Sequence, residues 1–180
     1  QKGLELCGFT QEKPIVMVMG GSLGSVKINV QLRGALETVL KEFQLVHICG
    51  KGNIDKTLEH KRGYKQFEYL SEELPHIFAM ADVIVSRAGS NSISEFLALK
   101  KPNLLIPLSA KASRGDQILN AQSFEKQGFS MVLKEEDMTY ASLEKAIGSL
   151  YQNRQKYIQN MQKSRLSDGV HEVMHIIETI

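Results

Sequence analysis

The hydrophobic and polar positions of this 180-residue chain follow two alternating patterns. Short apolar runs rich in β-branched residues, such as IVMVM at 15–19 and VIVS at 83–86, are typical of strands that are buried on both faces. Between these runs lie longer segments in which apolar residues recur every three or four positions, as on amphipathic helices. The pattern therefore predicts a chain of the α/β class.

The predicted strands and helices alternate along most of the chain. Strands are predicted at residues 15–19, 45–49, 65–69, 83–86, 103–107 and 131–133. Helices are predicted at residues 28–42, 54–62, 74–80, 92–100, 116–127 and 142–151, followed by two closing helices, whereas the first twelve residues form no predicted element. Strands joined through helices must run parallel, with helices on both faces of the sheet. We therefore predict a Rossmann-like three-layer domain with a mostly parallel six-stranded sheet.

Composition and charge narrow the functional class. With 42% hydrophobic and 23% charged residues, the chain has the composition of one globular domain. A net charge of +2 with dispersed Lys and Arg argues against a nucleic-acid partner. Two cysteines, Cys7 and Cys49, give neither a disulfide framework nor a zinc signature and favour a reducing compartment. No apolar run is long enough to span a bilayer, so any membrane contact is expected to be peripheral.

The first candidate binding turn is GGSLGS at residues 20–25, directly after the first predicted strand. Glycines let the backbone approach an anion closely, and this edge of the sheet is where ligands of such folds bind. The turn matches neither the dinucleotide fingerprint nor the Walker loop. Its glycines could instead serve only the tight packing of strand against helix. The presence of a second polar turn favours phosphate binding.

That second turn lies in DVIVSRAGSNSISE, residues 82–95, where an apolar strand runs without a spacer into a polar turn and a helix. The first N–H groups of a helix are unpaired and carry partial positive charge, so a phosphate or sugar hydroxyl is a natural ligand there. Ser92 and Glu95 also match an S-x-x-E capping box, which would make them purely structural. The local sequence supports both interpretations equally.

A third turn lies between residues 107 and 120. Gln117 and Asn120 are three residues apart at the start of a predicted helix, so their amides share a face and can bind hydroxyl groups. Capping is again the structural alternative, because Ser113 and Asp116 have the spacing of a capping box.

The segment HEVMH at residues 171–175 matches the H-E-x-x-H zinc motif. Only five residues follow it, which leaves little chain for a third ligand. The apolar residues of this segment recur at helical spacing: Val170, Val173, Met174 and Ile177. We therefore expect an amphipathic helix here and no metal site.

Three motifs occur here in a consistent order, each at a predicted strand-to-helix turn: GGSLG, ADVIVSRAGSNSISE and SRGDQILNA. The match that they define covers nearly the whole chain. They resemble the C-terminal domain of the peptidoglycan N-acetylglucosaminyltransferases of the GT-B class, which convert lipid I to lipid II. The resemblance implies that residues 1–180 form a single domain that binds UDP-N-acetylglucosamine. It further implies that the chain, which starts with Gln1, is a fragment lacking the N-terminal domain that binds lipid I. Such an enzyme is cytoplasmic and peripheral at the inner face of the bacterial cell membrane.

The same resemblance implies a role for ten residues: Gly21 and Ser22 at the diphosphate, Ser90, Asn91 and Ser92 at the phosphate and uridine, Glu95 at the ribose hydroxyls, Gln117 with Asp116 and Asn120 at the sugar, and Leu70 against uracil. No D-x-D motif is available for a metal, so the turn amides and helix dipoles would stabilise the departing diphosphate, with no cofactor. These turns offer no convincing base to deprotonate the acceptor. We therefore predict an inverting, metal-independent transferase whose isolated donor domain binds without transferring.

Two other interpretations remain open at this point. The chain could be a stand-alone donor-binding subunit that pairs with a separate acceptor-binding protein. It could also belong to another GT-B-like enzyme of UDP-sugars, such as a glycolipid glucosyltransferase or an epimerase, because these share the fold and the glycine turn. The sugar of the preferred donor distinguishes the last two from an N-acetylglucosaminyltransferase.

Overall fold

The structure, a computed structural model that describes residues 1–21 and 23–164, is built on a sheet of six strands. The strands are β1 (Ile15–Met19), β2 (Gln44–Ile48), β3 (Tyr64–Phe67), β4 (Val83–Ser86), β5 (Asn103–Leu105) and β6 (Ser130–Val132). They lie in the order β3-β2-β1-β4-β5-β6, and every neighbouring pair is parallel. The predicted fold class is confirmed.

Seven helices accompany the sheet in the described residues: α1 (Lys2–Cys7), α2 (Val26–Glu42), α3 (Leu74–Met80), α4 (Ser90–Ala98), α5 (Asp116–Lys126), α6 (Tyr140–Gln152) and α7 (Arg154–Gln162). Side chains alternate between the two faces of each strand, so Val16 and Val18 pack beneath α2 and α6. Met17 packs on the opposite face with residues of α3 and α4, such as Phe96. The sheet is thus covered on both faces, and its polar strand-to-helix turns gather at one edge.

Two sequence predictions are wrong. Only a 3₁₀ turn, Lys56–Leu58, forms within the predicted helix at 54–62, because the Asp55 carboxylate accepts the N–H of Thr57 and starts a local turn instead. Residues 2–7, for which no element was predicted, form α1, which ends at Gly8 in the left-handed conformation (φ 66°). Six residues are too few to show a helical period.

The remaining boundaries agree to within about two residues. Of the two predicted closing helices, α7 lies in the described part of the chain, whereas the second, together with the H-E-x-x-H segment, lies outside it. Within the described residues no helix has the length and apolar character needed to cross a membrane. The same residues contain no cluster of His, Cys, Asp and Glu side chains that could hold a metal ion.

A chain of buried polar side chains runs beneath the carboxyl edge of β2. His47 Nε2 lies 2.8 Å from Asn29 Oδ1, and His47 Nδ1 lies 2.7 Å from the hydroxyl oxygen of Tyr64. The Asn29 amide nitrogen donates to the carbonyl of Cys49 at 2.9 Å, which leaves its oxygen as the acceptor toward His47. The imidazole therefore carries its proton on Nε2 and accepts from Tyr64. This chain fixes the backbone at the end of β2.

Burial, aided by the positive charge of Arg33, lowers the pKa of His47 to about 3. Since the unfolded histidine has a pKa of about 6.5, the unfolded chain binds the extra proton and stability falls as the pH drops below that value. We expect His47 to contribute a loss of stability in the window from about pH 6.5 to the folded pKa of about 3, and this loss approaches about 1.4 kcal/mol per pH unit below about pH 5.5. Urea unfolding at several pH values in this window should show that the free energy of unfolding depends less steeply on pH in His47→Gln than in the wild-type chain. Equal slopes for the two proteins would contradict the buried neutral imidazole.

Candidate functional site

A cleft of about 860 Å³ opens at the carboxyl edge of the sheet. Its walls come from the turn after β1, the turn after β4, the loop after β5 and the segment after β6. Strands β1 and β4 are neighbours in the sheet, and the helices that follow them pack on opposite faces. This is the crevice at the point where strand order reverses, the usual ligand site of doubly wound sheets.

The glycine turn after β1 is joined backbone to backbone with the turn after β2. Gly24 has a φ of 77°, and a Cβ built on it would collide with the carbonyl oxygen of Cys49. In return, a Cβ on Gly50 would lie 2.5 Å from the carbonyl oxygen of Leu23. Side chains are excluded from both positions, so only glycine fits where these two turns meet. Gly21, at φ 92°, borders the cleft and leaves the backbone open to a ligand.

Helix α4 points its N-terminus at the cleft without a side-chain cap. Its N-cap is Gly89, and its first turn contributes Asn91 and Ser92 to the cleft wall. The capping box that was the structural alternative for Ser92 and Glu95 does not form, because the helix begins two residues earlier and both residues lie inside it. The helix start leaves unpaired N–H donors and partial positive charge for a ligand.

Helix α5 also begins without a side-chain cap. Its N-cap is Gly115 at φ 85°, and the Ser113 hydroxyl accepts the N–H of Gly115 at 3.2 Å rather than that of a helical residue. The structural alternative for this turn, a capping box of Ser113 and Asp116, does not form either. By contrast α2 is capped, since the Ser25 hydroxyl accepts the N–H of Ile28.

The amides of Gln117 and Asn120 tie the turns of the cleft together. Gln117 Oε1 accepts the backbone N–H of Ala88 at 3.3 Å and of Leu108 at 3.1 Å, so it joins the turn after β4 to the loop after β5. Asn120 Nδ2 donates to the carbonyl of Ala88 at 3.0 Å. Gln117 also lines the cleft, whereas Asn120 contacts the turn after β4 without lining the cleft.

A buried charge cluster forms the floor of the cleft. Arg87, only 6% exposed, donates to the Ser25 hydroxyl at 2.7 Å and to the carbonyl of Ile106 at 3.1 Å, and lies 2.5 Å from Glu135 Oε2. The other Glu135 oxygen is 3.0 Å from Lys27 Nζ. Burial alone would raise the pKa of Glu135, but the contacts with Lys27 and Arg87 lower it below its usual range.

Sequence reasoning missed Arg87, Lys27 and Glu135 as site residues. A signal for Arg87 was present, because an arginine that directly follows a buried strand is placed at the carboxyl edge of the sheet. Glu135 follows the edge strand β6, and only the folded order of strands brings it near Arg87. The side chains with full charge on the cleft wall are three cations, Lys27, Arg87 and Lys111, and one carboxylate, Glu135. The cleft therefore favours an anion.

A comparison with known protein families finds one family that matches most of the chain. Residues 15–178 match the glycosyltransferase family 28 C-terminal domain. The chain belongs to glycosyltransferase family 28. The predicted family is confirmed, and the glycine turn, the cleft and α4 all lie within the matched region of this family 28 domain.

Two curated relatives of the family 28 domain share one name. The chain is 55% identical over 178 residues to the UDP-N-acetylglucosamine--N-acetylmuramyl-(pentapeptide) pyrophosphoryl-undecaprenol N-acetylglucosamine transferase of Clostridium tetani, covering 99% of this chain and 50% of that protein. It is 56% identical to the protein of the same name from Geobacillus kaustophilus, with the same coverage. The chain thus spans about half the length of these relatives.

Solved structures agree on the fold. Acinetobacter baumannii MurG superposes with a TM-score of 0.71 at 21% identity, covering 99% of this chain and 53% of that one. The glycotransferase of kitacinnamycin superposes with a TM-score of 0.72 at 18% identity, covering 93% of this chain and 43% of that one. At these identities the likeness establishes the architecture of the family 28 domain.

The structure brings only some of the ten predicted site residues to the cleft. Four of them line the cleft: Gly21, Asn91, Ser92 and Gln117. Three are exposed on the first two turns of α4 and α5: Ser90, Glu95 and Asp116. Leu70 is buried in the core after β3, Asn120 contacts Ala88, and Ser22 lies outside the described residues. Desolvation by neighbouring protein atoms raises the pKa of the Glu95 carboxyl.

Proposed function

We propose that this domain binds the donor UDP-N-acetylglucosamine in the cleft, as the donor half of an N-acetylglucosaminyltransferase. In the complete protein the sugar would pass to lipid I, giving lipid II at the inner face of the bacterial membrane. The observation that carries the proposal is the meeting of the open glycine turn with two uncapped helix N-termini, α4 and α5, at a cleft with excess positive charge. The name of the relatives at 55% and 56% identity supports this donor and acceptor.

The chemistry follows from what these groups can do. Transfer of the sugar breaks its bond to the diphosphate and leaves negative charge on the departing UDP. Fixed backbone N–H groups and helix dipoles stabilise that charge without reorganising. Arg87 sits beneath them, already bound to Ser25 and paired with Glu135, so its part is to hold the turns in place.

The acceptor hydroxyl must lose a proton, which requires a base. We assign the base and the lipid I surface to a second domain of the complete enzyme, so the 180-residue chain binds donor without transferring it. Titration calorimetry should detect binding of UDP and UDP-N-acetylglucosamine, with weaker binding of UDP-glucose. Equal binding of UDP-glucose would favour a glucosyltransferase or an epimerase. Lipid II formation by the chain alone would contradict this assignment of the base.

Glu95 gives the proposal a test at one residue. We expect Glu95→Ala to weaken UDP binding about 10-fold, the worth of charged hydrogen bonds to ribose hydroxyls. Because Glu95 is exposed and makes no cap, the free energy of unfolding should change by less than about 0.5 kcal/mol.

A matched control is Glu125→Ala, which removes an exposed glutamate from the last turn of α5. Calorimetry with UDP and urea unfolding should be performed on both variants. Unchanged UDP affinity in Glu95→Ala, or an equal loss in Glu125→Ala, would remove Glu95 from the site.

A further inference from the structure

Lys27 occupies an unusual place for a lysine in an ion pair. It lies in the first turn of α2 and lines the cleft, and its side chain remains 67% exposed although its Nζ is 3.0 Å from Glu135 Oε1. The Glu135 side chain is only 3% exposed. Glu135 is therefore fixed in the floor of the cleft, whereas the Lys27 side chain lies in solvent at the cleft wall.

Glu135 does not depend on Lys27 for its neutralisation. Its second carboxylate oxygen lies 2.5 Å from the guanidinium of Arg87, whose side chain is 7% exposed. Arg87 is held in turn by Ser25 and by the carbonyl of Ile106. If Lys27 moves away, the buried carboxylate still has its fixed cation. The pair between Lys27 and Glu135 can thus open without leaving a buried charge uncompensated.

Lysine is suited to such a movement. Its ammonium carries three donors on a flexible four-carbon stem, so it can follow an anion that enters the cleft. The exposed end of an ion pair contributes little stability, which makes exchange of partners inexpensive. The uncapped start of α4 and the open backbone at Gly21 border the same cleft and favour the same kind of ligand.

We propose that Lys27 binds the diphosphate of the nucleotide-sugar, and that Glu135 holds the lysine at the cleft wall until the ligand enters. This inference rests on the proposed function, since it names a further cation for the same ligand. Arg87 and Lys27 then have different tasks. The arginine is a positioning residue that fixes the turns, and the lysine contacts the ligand.

Calorimetry on Lys27→Met and Lys27→Arg tests the proposal, with UDP and uridine as ligands. We expect Lys27→Met to weaken UDP binding about 10-fold, the worth of a charged hydrogen bond, and to leave uridine binding unchanged. Lys27→Arg should restore most of the UDP affinity. The matched control is Lys134→Met, which removes an exposed lysine next to Glu135 that is not part of the cleft wall.

The outcomes distinguish the proposed role of Lys27 from the proposed binding of the donor. UDP binding by Lys27→Met at the wild-type affinity would overturn the role of Lys27 and leave donor binding standing. Equal loss of UDP and uridine affinity would mean that Lys27 acts only through the fold, which also overturns it. Absence of UDP binding to the folded wild-type chain would overturn the proposed function itself. A tighter complex of Glu135→Gln with UDP would support the exchange of partners, because the competing carboxylate is gone.

Discussion

Gly24→Ala is expected to lower the free energy of unfolding by at least about 2 kcal/mol. An alanine costs about 1 kcal/mol or more in the left-handed conformation that Gly24 adopts at φ 77°. Its Cβ would also collide with the carbonyl oxygen of Cys49 and lie 2.8 Å from the Cα of Gly50, and such overpacking costs a further 1–3 kcal/mol or so. Relief requires the glycine turn to move, so UDP binding should be lost as well.

Gly52→Ala is the matched control for this variant. Gly52 has nearly the same φ, 76°, but a Cβ there would meet no atom within 4 Å. It should therefore show the conformational cost alone, about 1 kcal/mol, with UDP affinity unchanged. Urea unfolding of both variants gives the contribution of the contact between the two turns as their difference. Equal stability of the two variants would contradict the backbone contact between the turns.

Arg87→Met is expected to destabilise the domain by about 3 kcal/mol. The substitution leaves the Glu135 carboxylate in the cleft floor with only the exposed Lys27 as its partner, and it removes the donor to Ser25. Breaking one side of a buried ion pair typically costs about 3–5 kcal/mol, because the remaining charge is poorly solvated. We take the lower end of that range because Lys27 still compensates part of the charge.

The double variant Arg87→Met with Glu135→Leu separates charge from packing. Replacing both partners of a buried ion pair by apolar side chains is often neutral, so the double variant should regain at least half of the lost stability. Urea unfolding of the single and double variants provides the comparison. If the double variant is less stable than Arg87→Met, the side chains of the cluster matter through their packing and hydrogen bonds rather than through their charges.

Much of the fold could be predicted because the physics that sets it is local. Apolar runs such as 15–19 and 83–86 are long enough to show burial on both faces, and helices between strands require parallel pairing. From there the position of the cleft follows, since parallel strands place their carboxyl ends at one edge. The sequence pattern predicts the start of α4 two residues late, because Gly89 carries no capping side chain to mark it.

The charge cluster could not be predicted for a different reason. Arg87 and Glu135 lie on segments after β4 and β6, and their contact depends on strand order and on the path of the chain after the edge strand. Hydrophobic periodicity carries no information on which polar side chains meet across such segments. The sequence likewise supports both interpretations of Ser92 and Glu95 equally, because the choice depends on which residue begins the helix.

The absence of a side-chain cap on α4 also affects the stability of the domain when no ligand is bound. Gly89 has a φ of −66° and a ψ of 143°, and a Cβ there would meet no atom within 4 Å, so the backbone would accept a serine or an aspartate. Either would cap the helix at a gain of only a few tenths of a kcal/mol or so over glycine, yet it would occupy the N–H groups that an anionic ligand needs. Without a ligand the domain is thus slightly less stable than its fold permits, and binding of the proposed anionic ligand would offset the difference by mass action. In a cell short of the ligand, proteases would meet the opened chain more often.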